Sequence, residues 1–149
     1  MTTAVAADEP AGPRPSLASM HVITTTSTDD RDRLAFVLAM HLLHVEAQPV
    51  TAIVGPTRVE ARVAWDKVAA ASSHMVRRIS RANGAEVIES IAGARLLCAT
   101  GRGDGLRGVS VGRLIVLSGD LLSGPQRAWL IPSLVARPDA EWWEFNVAA

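Results

Sequence analysis

The chain has 149 residues, 48% of them hydrophobic, with fifteen basic and fifteen acidic side chains that cancel to a net charge of zero. That length supports one hydrophobic core rather than two, and the missing net charge excludes capture of the whole molecule by the field of nucleic acid or an anionic membrane. Apolar runs last about five to eight residues, short of the ~20 that cross a bilayer, so neither a membrane span nor a membrane partner is expected.

Residues 1–20 carry Asp8, Glu9, Pro10, Pro13 and Pro15 and lack the apolar centre of a signal peptide, so they read as the flexible tail of a cytoplasmic protein. Residues 21–149 then form a single domain. Cys98, the one cysteine, lies in an apolar segment and has no partner for an internal disulfide, which fits a reducing compartment. Its plain reading is a small buried hydrophobe. Lys67 is the only lysine, every other basic residue being arginine.

In chain order, His21 to Thr26 is β-branched and reads as the first strand. Ser27, Thr28, Asp29 and Asp30 offer N-caps for a helix reaching about His44, with Asp32 adding an acid to its first turn. Apolar residues go nearly all round that helix, which predicts burial on most sides. Pro49 to Val54 is a second strand stopped by Gly55-Pro56. Thr57 caps a long amphipathic helix from Arg58, its apolar positions running at three/four spacing through Val76 and Ile79 to a stop at Asn83-Gly84. Ala85–Ser90 and Ala94–Thr100 read as a hairpin around Ala92-Gly93. After a Gly/Arg loop, residues 101–108, Arg113–Leu117 is apolar without alternation and belongs at a sheet centre. Ser123-Gly124-Pro125 starts a helix through about Val135, and Glu141–Val147 is a last strand. Alternating strands and helices predict an α/β three-layer sandwich with a mainly parallel central sheet and a β-hairpin insertion.

These elements, in this order, resemble the ATPase half of phage terminase large subunits, the P-loop motors that package DNA. The passages carrying the resemblance are AIVGPTRVEA, GARLLCATGRGDGLRGVSVGRLIVL and LIPSLVARPDAEWWEF. It covers most of Val22 to Val147 and leaves out the nuclease half. It implies a P-loop NTPase-like fold, a phosphate loop after the first strand, and a pair of acids closing the apolar strand at Leu117.

The residues at those places are not the ones that chemistry needs. A phosphate loop uses glycines to turn several backbone N–H groups inward, a lysine on the β/γ oxygens and a hydroxyl on magnesium. Between His21 and Gly55 there is no glycine and no lysine. Arg31 and Arg33 supply charge there without lysine's slim reach, while Asp29, Asp30 and Asp32 put carboxylates where a triphosphate's charge belongs. In the second place, Ser118 and Gly119 stand for the Asp-Glu pair, and Asp120 follows two residues too late to reach the same point. The expectation is a domain without catalytic residues, cofactor, metal or small-molecule substrate.

Other candidates point to partners. Arg102 and Arg107 in the loop, with Arg77, Arg78 and Arg81 on the amphipathic helix, suit either a protein interface or nucleic-acid phosphates. Trp142 and Trp143 must face opposite sides of a strand, so one is predicted to lie at the surface or an interface. His41 and His44 lack a further ligand at metal spacing, and His74 beside Ser72 and Ser73 lacks a nucleophile elbow. The sequence thus supports a catalytically inactive terminase-like domain, of phage origin, acting in the host cytoplasm or the virion as an interaction or structural component, with a protein partner or self-association. The alternatives are a DNA-binding accessory module of packaging and, third, an active packaging ATPase with unusual residues.

Overall fold

In the computed structural model, residues 2–3, 19–45, 50–82, 84–100, 106, 109–134 and 139–148 are described. The elements are β1 (Thr2–Thr3), β2 (Ser19–Thr25), α1 (Thr28–His44), β3 (Val50–Gly55), α2 (Arg58–Ser72), β4 (Val76–Ser80), β5 (Val87–Ser90), β6 (Arg95–Thr100), β7 (Arg113–Leu117), α3 (Gly124–Leu130) and β8 (Glu141–Val147). Single turns of 3-10 helix at Gly119–Leu121 and Ile131–Ser133 flank α3.

The strands form one sheet in the order β1-β2-β8-β7-β3-β6-β5-β4. From β2 to β6 every neighbouring pair is parallel, while β1, β5 and β4 add antiparallel edges. The predicted α/β sandwich with a mainly parallel sheet and a hairpin insertion is the fold observed. β3, a run of valine, isoleucine and small residues buried along its whole length, lies between β6 and β7. Strands covered on both faces need continuous apolarity, which is what this segment and β7 supply.

Alternation along the strands sends neighbouring residues to opposite faces. Ile53, Leu96, Cys98, Ile115, Leu117 and Phe145 pack with Ala35, Ala39, Leu42, Leu43, Trp65 and Val68 of α1 and α2. Ala52, Val54, Leu114, Val116 and Trp142 pack on the other side with Leu122, Leu130 and Leu134 around α3. The Trp65 indole N–H donates to the Leu96 carbonyl at 3.0 Å, tying α2 to the sheet. No helix among the described residues is long and apolar enough to cross a membrane.

Three expectations change. The helix predicted from Arg58 to Asn83 stops at Ser72, and Val76–Ser80 instead forms the edge strand β4, antiparallel to β5 with a register shift between Val76 and Arg78. The apolar spacing of Val76 and Ile79 fits a helix face, but sheet pairing on the β5 edge outweighs the local pattern. Helix α1 is buried on one face only: Leu34 is 42% and Val37 58% exposed. The first strand begins at Ser19 rather than His21, and Thr2–Thr3, placed by sequence in the tail, pairs with Met20 and His21. Residues 4–18 of that tail lie outside the described residues.

Candidate functional site

In open α/β sheets ligands bind beyond the carboxyl ends of parallel strands. Here those ends bring together the start of α1 after β2, the start of α2 after β3, the turn after β7, and the last residues of β8. Ser27 caps α1 by accepting from the Asp30 N–H at 3.1 Å, and Thr57 caps α2 by accepting from the Glu60 N–H at 3.3 Å. The Thr25 hydroxyl donates to the carbonyls of Ser27 and Asn146, both at 3.0 Å, fixing the chain's exit from β2.

Arg31, in the first turn of α1, points into this crevice and is only 7% exposed. Its Nη1 donates to the Ser118 Oγ at 2.6 Å and to Glu60 Oε2 at 3.4 Å, while Nε and Nη2 lie 2.9 and 2.8 Å from Asp32 Oδ1. The guanidinium therefore links the two places the sequence resemblance marked, and it does so with an ion pair on either side. Ser118 holds a left-handed backbone, φ 51° and ψ 52°, and its N–H donates to the Phe145 carbonyl at 2.7 Å.

Behind Ser118 lies a second network. Glu144, on β8, is 4% exposed. Its Oε1 accepts from the Trp142 indole at 3.0 Å and lies 3.1 Å from Arg127 Nη1. Its Oε2 accepts from Asn146 Nδ2 at 2.8 Å and Arg127 Nη2 at 3.2 Å. Burial pushes the Glu144 carboxyl up, but the hydrogen bonds from Asn146, Arg127 and Trp142 and the Arg127 charge outweigh it and hold the group below the ordinary value. Arg127 also reaches the Gly119 carbonyl at 2.6 Å, and the Asp120 N–H donates to Asn146 Oδ1 at 3.2 Å. A Cβ at Gly119 would stand 2.3 Å from Glu144 Cδ, so the carboxylate fills the space an acid at 119 needs.

A P-loop fold implies a magnesium-bound nucleotide at this end of the sheet. The residues present do not fit one. Arg31 and Ser118 are bonded to each other across the crevice, and Glu144, the buried carboxylate of β8, has both oxygens taken by protein donors. Asp29 and Asp120 are exposed, and Asp30 lies 4.0 Å from the Arg33 guanidinium on the outside of α1.

The remaining predicted residues scatter. Arg77, Arg78 and Arg81 sit exposed at and just after β4, on the far edge of the sheet from β2. Arg102 and Arg107 lie outside the described residues. Trp142 and Trp143 do face opposite ways, yet Trp142 is 1% exposed beneath Arg127, whose guanidinium carbon is 5.6 Å from the ring centre. Trp143 is half-buried and stacks on His21, ring centres 3.9 Å apart. The exposed tryptophan is Trp129, at 59%. His44 meets the Ser72 hydroxyl at 2.8 Å. Sequence reasoning missed Glu60, Arg127, Glu144 and Asn146. The Thr57-x-x-Glu60 cap pattern and a glutamate inside the apolar strand β8 were the available signals; nothing local announces Arg127.

No protein-family model and no curated protein matches the chain. Among solved structures, the large terminase ATPase domain of Thermus phage P74-26 superposes with a TM-score of 0.64 at 14% identity, over 87% of this chain and 60% of that one. A point mutant of that domain gives 0.63 at 14% identity over the same shares. The C-terminal domain of a possible DNA helicase from Lactobacillus plantarum WCFS1 gives 0.51 at 11% identity, over 87% of this chain and 74% of that one. The protein has a terminase-like, P-loop ATPase-like fold. It spans 60% of the length of the terminase ATPase domain it matches.

Proposed function

We propose that the chain is a catalytically inactive terminase/P-loop ATPase-like domain, of phage origin, that works in the host cytoplasm or the virion as a protein-interaction or structural component. The observation supporting this reading is the buried Arg31 guanidinium, bonded to Ser118 at 2.6 Å and ion-paired with Asp32, where the fold would otherwise receive phosphate and metal. A guanidinium is compatible with a phosphate only while it is free to face it, and this one is already committed to two carboxylates and a hydroxyl. Titration of the full chain with Mg-ATP and Mg-ADP in a thermal-shift experiment tests the reading. The expected result is an unmoved melting temperature; a saturable rise of several degrees overturns it.

The second reading is a nucleic-acid-binding accessory module. Arg77, Arg78 and Arg81 favour it, being exposed within five residues of one another and carrying no ion pair among the described residues. Phosphate contacts make affinity fall steeply with salt. Fluorescence anisotropy with single- and double-stranded DNA at two salt concentrations decides it: absent or salt-insensitive binding rejects this module.

A further inference from the structure

Strand β4, Val76–Ser80, ends the sheet, with β5 on one side and no strand on the other among the described residues. A strand in that position offers a row of backbone N–H and C=O groups to any chain able to pair with them. This edge is held in place. Val76 and Ile79 are half-buried against the core that α1 and α2 cover, and the Arg81 carbonyl just beyond the strand accepts from Arg62 Nη2 at 3.3 Å. Arg62 is itself fixed by Glu86 and Asp66, each 3.0 Å away. A template already in its bound shape loses little entropy on pairing.

The two faces of the edge differ. Ile79 stands opposite Ile88, on the face that packs against α1 and α2. Arg78 stands opposite Glu89, and Glu89 opposite Arg95, so the other face carries the row Arg78, Glu89, Arg95 across three strands. Between Val76 and Arg78 the register shifts, β4 advancing two residues while β5 advances one, which makes Arg77 the extra residue of a bulge. Arg77 and Arg78 are both exposed, and neither has an ion pair among the described residues. Charge along the row alternates from the edge inward, so the member that continues it, one strand outside β4, is an acid.

Charge selects the occupant. A second copy of β4 paired about its centre, Arg78, would oppose arginine to arginine, and like charges facing across strands destabilise. A phosphate backbone laid over the row would meet Glu89 between its two arginines. A strand added outside β4 lies about 4.8 Å from it and about twice as far from β5, so its acid meets Arg78 before Glu89. We propose that β4 is a docking edge for an extended segment of a partner protein that alternates acidic and apolar side chains. The acids face Arg77 and Arg78, and the apolar residues extend the surface of Ile79. Main-chain bonds to the open edge supply affinity, and the alternation supplies selectivity. This inference rests on the reading of the chain as a protein-interaction component and gives that partner its chemistry.

Fluorescence anisotropy on the full chain tests it, with a fluorescein-labelled peptide of alternating glutamate and valine as the probe. The expected result is saturable binding, accompanied by slowed amide hydrogen exchange in residues 76–80. An N-methylated peptide of the same sequence keeps the charges, loses the edge-facing N–H groups and is expected not to bind. Arg77→Glu with Arg78→Glu weakens the probe about tenfold or more at unchanged circular dichroism, and takes a peptide of alternating lysine and valine instead. Absent binding, equal binding of the N-methylated peptide, or indifference to the double variant overturns the proposal. So does tighter binding of an oligothymidylate than of the peptide, which assigns the arginines to nucleic acid. A thermal shift with Mg-ATP sinks the inactive-domain reading while leaving peptide binding untouched, so the two failures are distinguishable.

Discussion

Arg31 and Ser118, 87 positions apart in the chain, meet at 2.6 Å between a guanidinium nitrogen and a hydroxyl oxygen that are both buried. The pair joins the first turn of α1 to the end of β7, and Glu60 joins α2 to the same guanidinium at 3.4 Å. Three connections that open toward a ligand in a nucleotide-binding fold are held to one another by one side chain. The consequences can be measured.

Arg31→Met keeps most of the bulk and removes the charge. Asp32 and Glu60 lose their counter-ion and the Ser118 hydroxyl loses its partner, and breaking a buried pair in this way costs about 2–4 kcal/mol, toward the low end because Glu60 is partly in water. Urea denaturation is expected to show an earlier midpoint at an unchanged slope. A loss under about 0.5 kcal/mol would mean the network contributes nothing beyond a solvated surface pair.

Gly119→Ala places a methyl group 2.3 Å from Glu144 Cδ and 2.5 Å from its Oε1. Glu144 is held by Arg127, Trp142 and Asn146 and has no free direction to move, so a loss of about 2–3 kcal/mol is expected. For the same reason, installing the motor-type acids with Ser118→Asp and Gly119→Glu does not create a hydrolase. Magnesium-dependent phosphate release from that double variant would refute the packing argument.

Glu144 contributes to the acid limb of stability. Its folded-state pKa is lowered, so folding favours the ionised form. The sign follows: the stabilisation is complete above the unfolded carboxyl value of roughly 4.3 and is lost as pH falls through the folded-state value below it. Glu144→Gln is therefore expected to be less stable than the parent at neutral pH, and the gap between the two is expected to narrow on acidification below about pH 4. Denaturation midpoints taken across that range check it; a gap independent of pH would assign the loss to geometry alone.

Cys98 is buried on β6 near Glu86, whose carboxylate is itself enclosed and ion-paired with Arg58 and Arg62 at 2.7 and 3.0 Å. Burial first, and the Glu86 charge second, push the thiol up to about 12. Only the thiolate reacts at useful rates. Iodoacetamide at neutral pH should leave the folded chain unmodified and label it quantitatively in urea, as read by mass spectrometry; rapid labelling of the folded chain would contradict the buried placement.

The fold was legible because its signals are local. Ser27 and Thr57 announce helix starts, Ala92-Gly93 announces the hairpin turn, and the apolar runs at 52–54 and 114–117 announce strands covered on both faces. Val76–Ser80 was misread because its apolar residues satisfy a helical period and a strand edge equally well, and only the neighbouring β5 decides between them. The site was half legible. Missing glycines and lysine are visible in the sequence, but what takes their place is not: Arg31 to Ser118 and Arg127 to Glu144 are long-range contacts, fixed by the sheet order. That Trp142 would be enclosed and Trp143 covered by His21 likewise depended on β2 lying beside β8.

Ser118 carries a further implication through its backbone. At φ 51° it occupies a conformation that costs a residue with a side chain about 1 kcal/mol more than glycine. Its hydroxyl is also the group that Arg31 reaches. Glycine at this position relaxes the main chain and forfeits the bond, alanine forfeits the bond and keeps the strain, and threonine adds a branch to a backbone that disfavours branching. Serine is thus a compromise between two opposed demands, and the turn after β7 is tuned by side-chain chemistry at a point where backbone preference alone selects glycine.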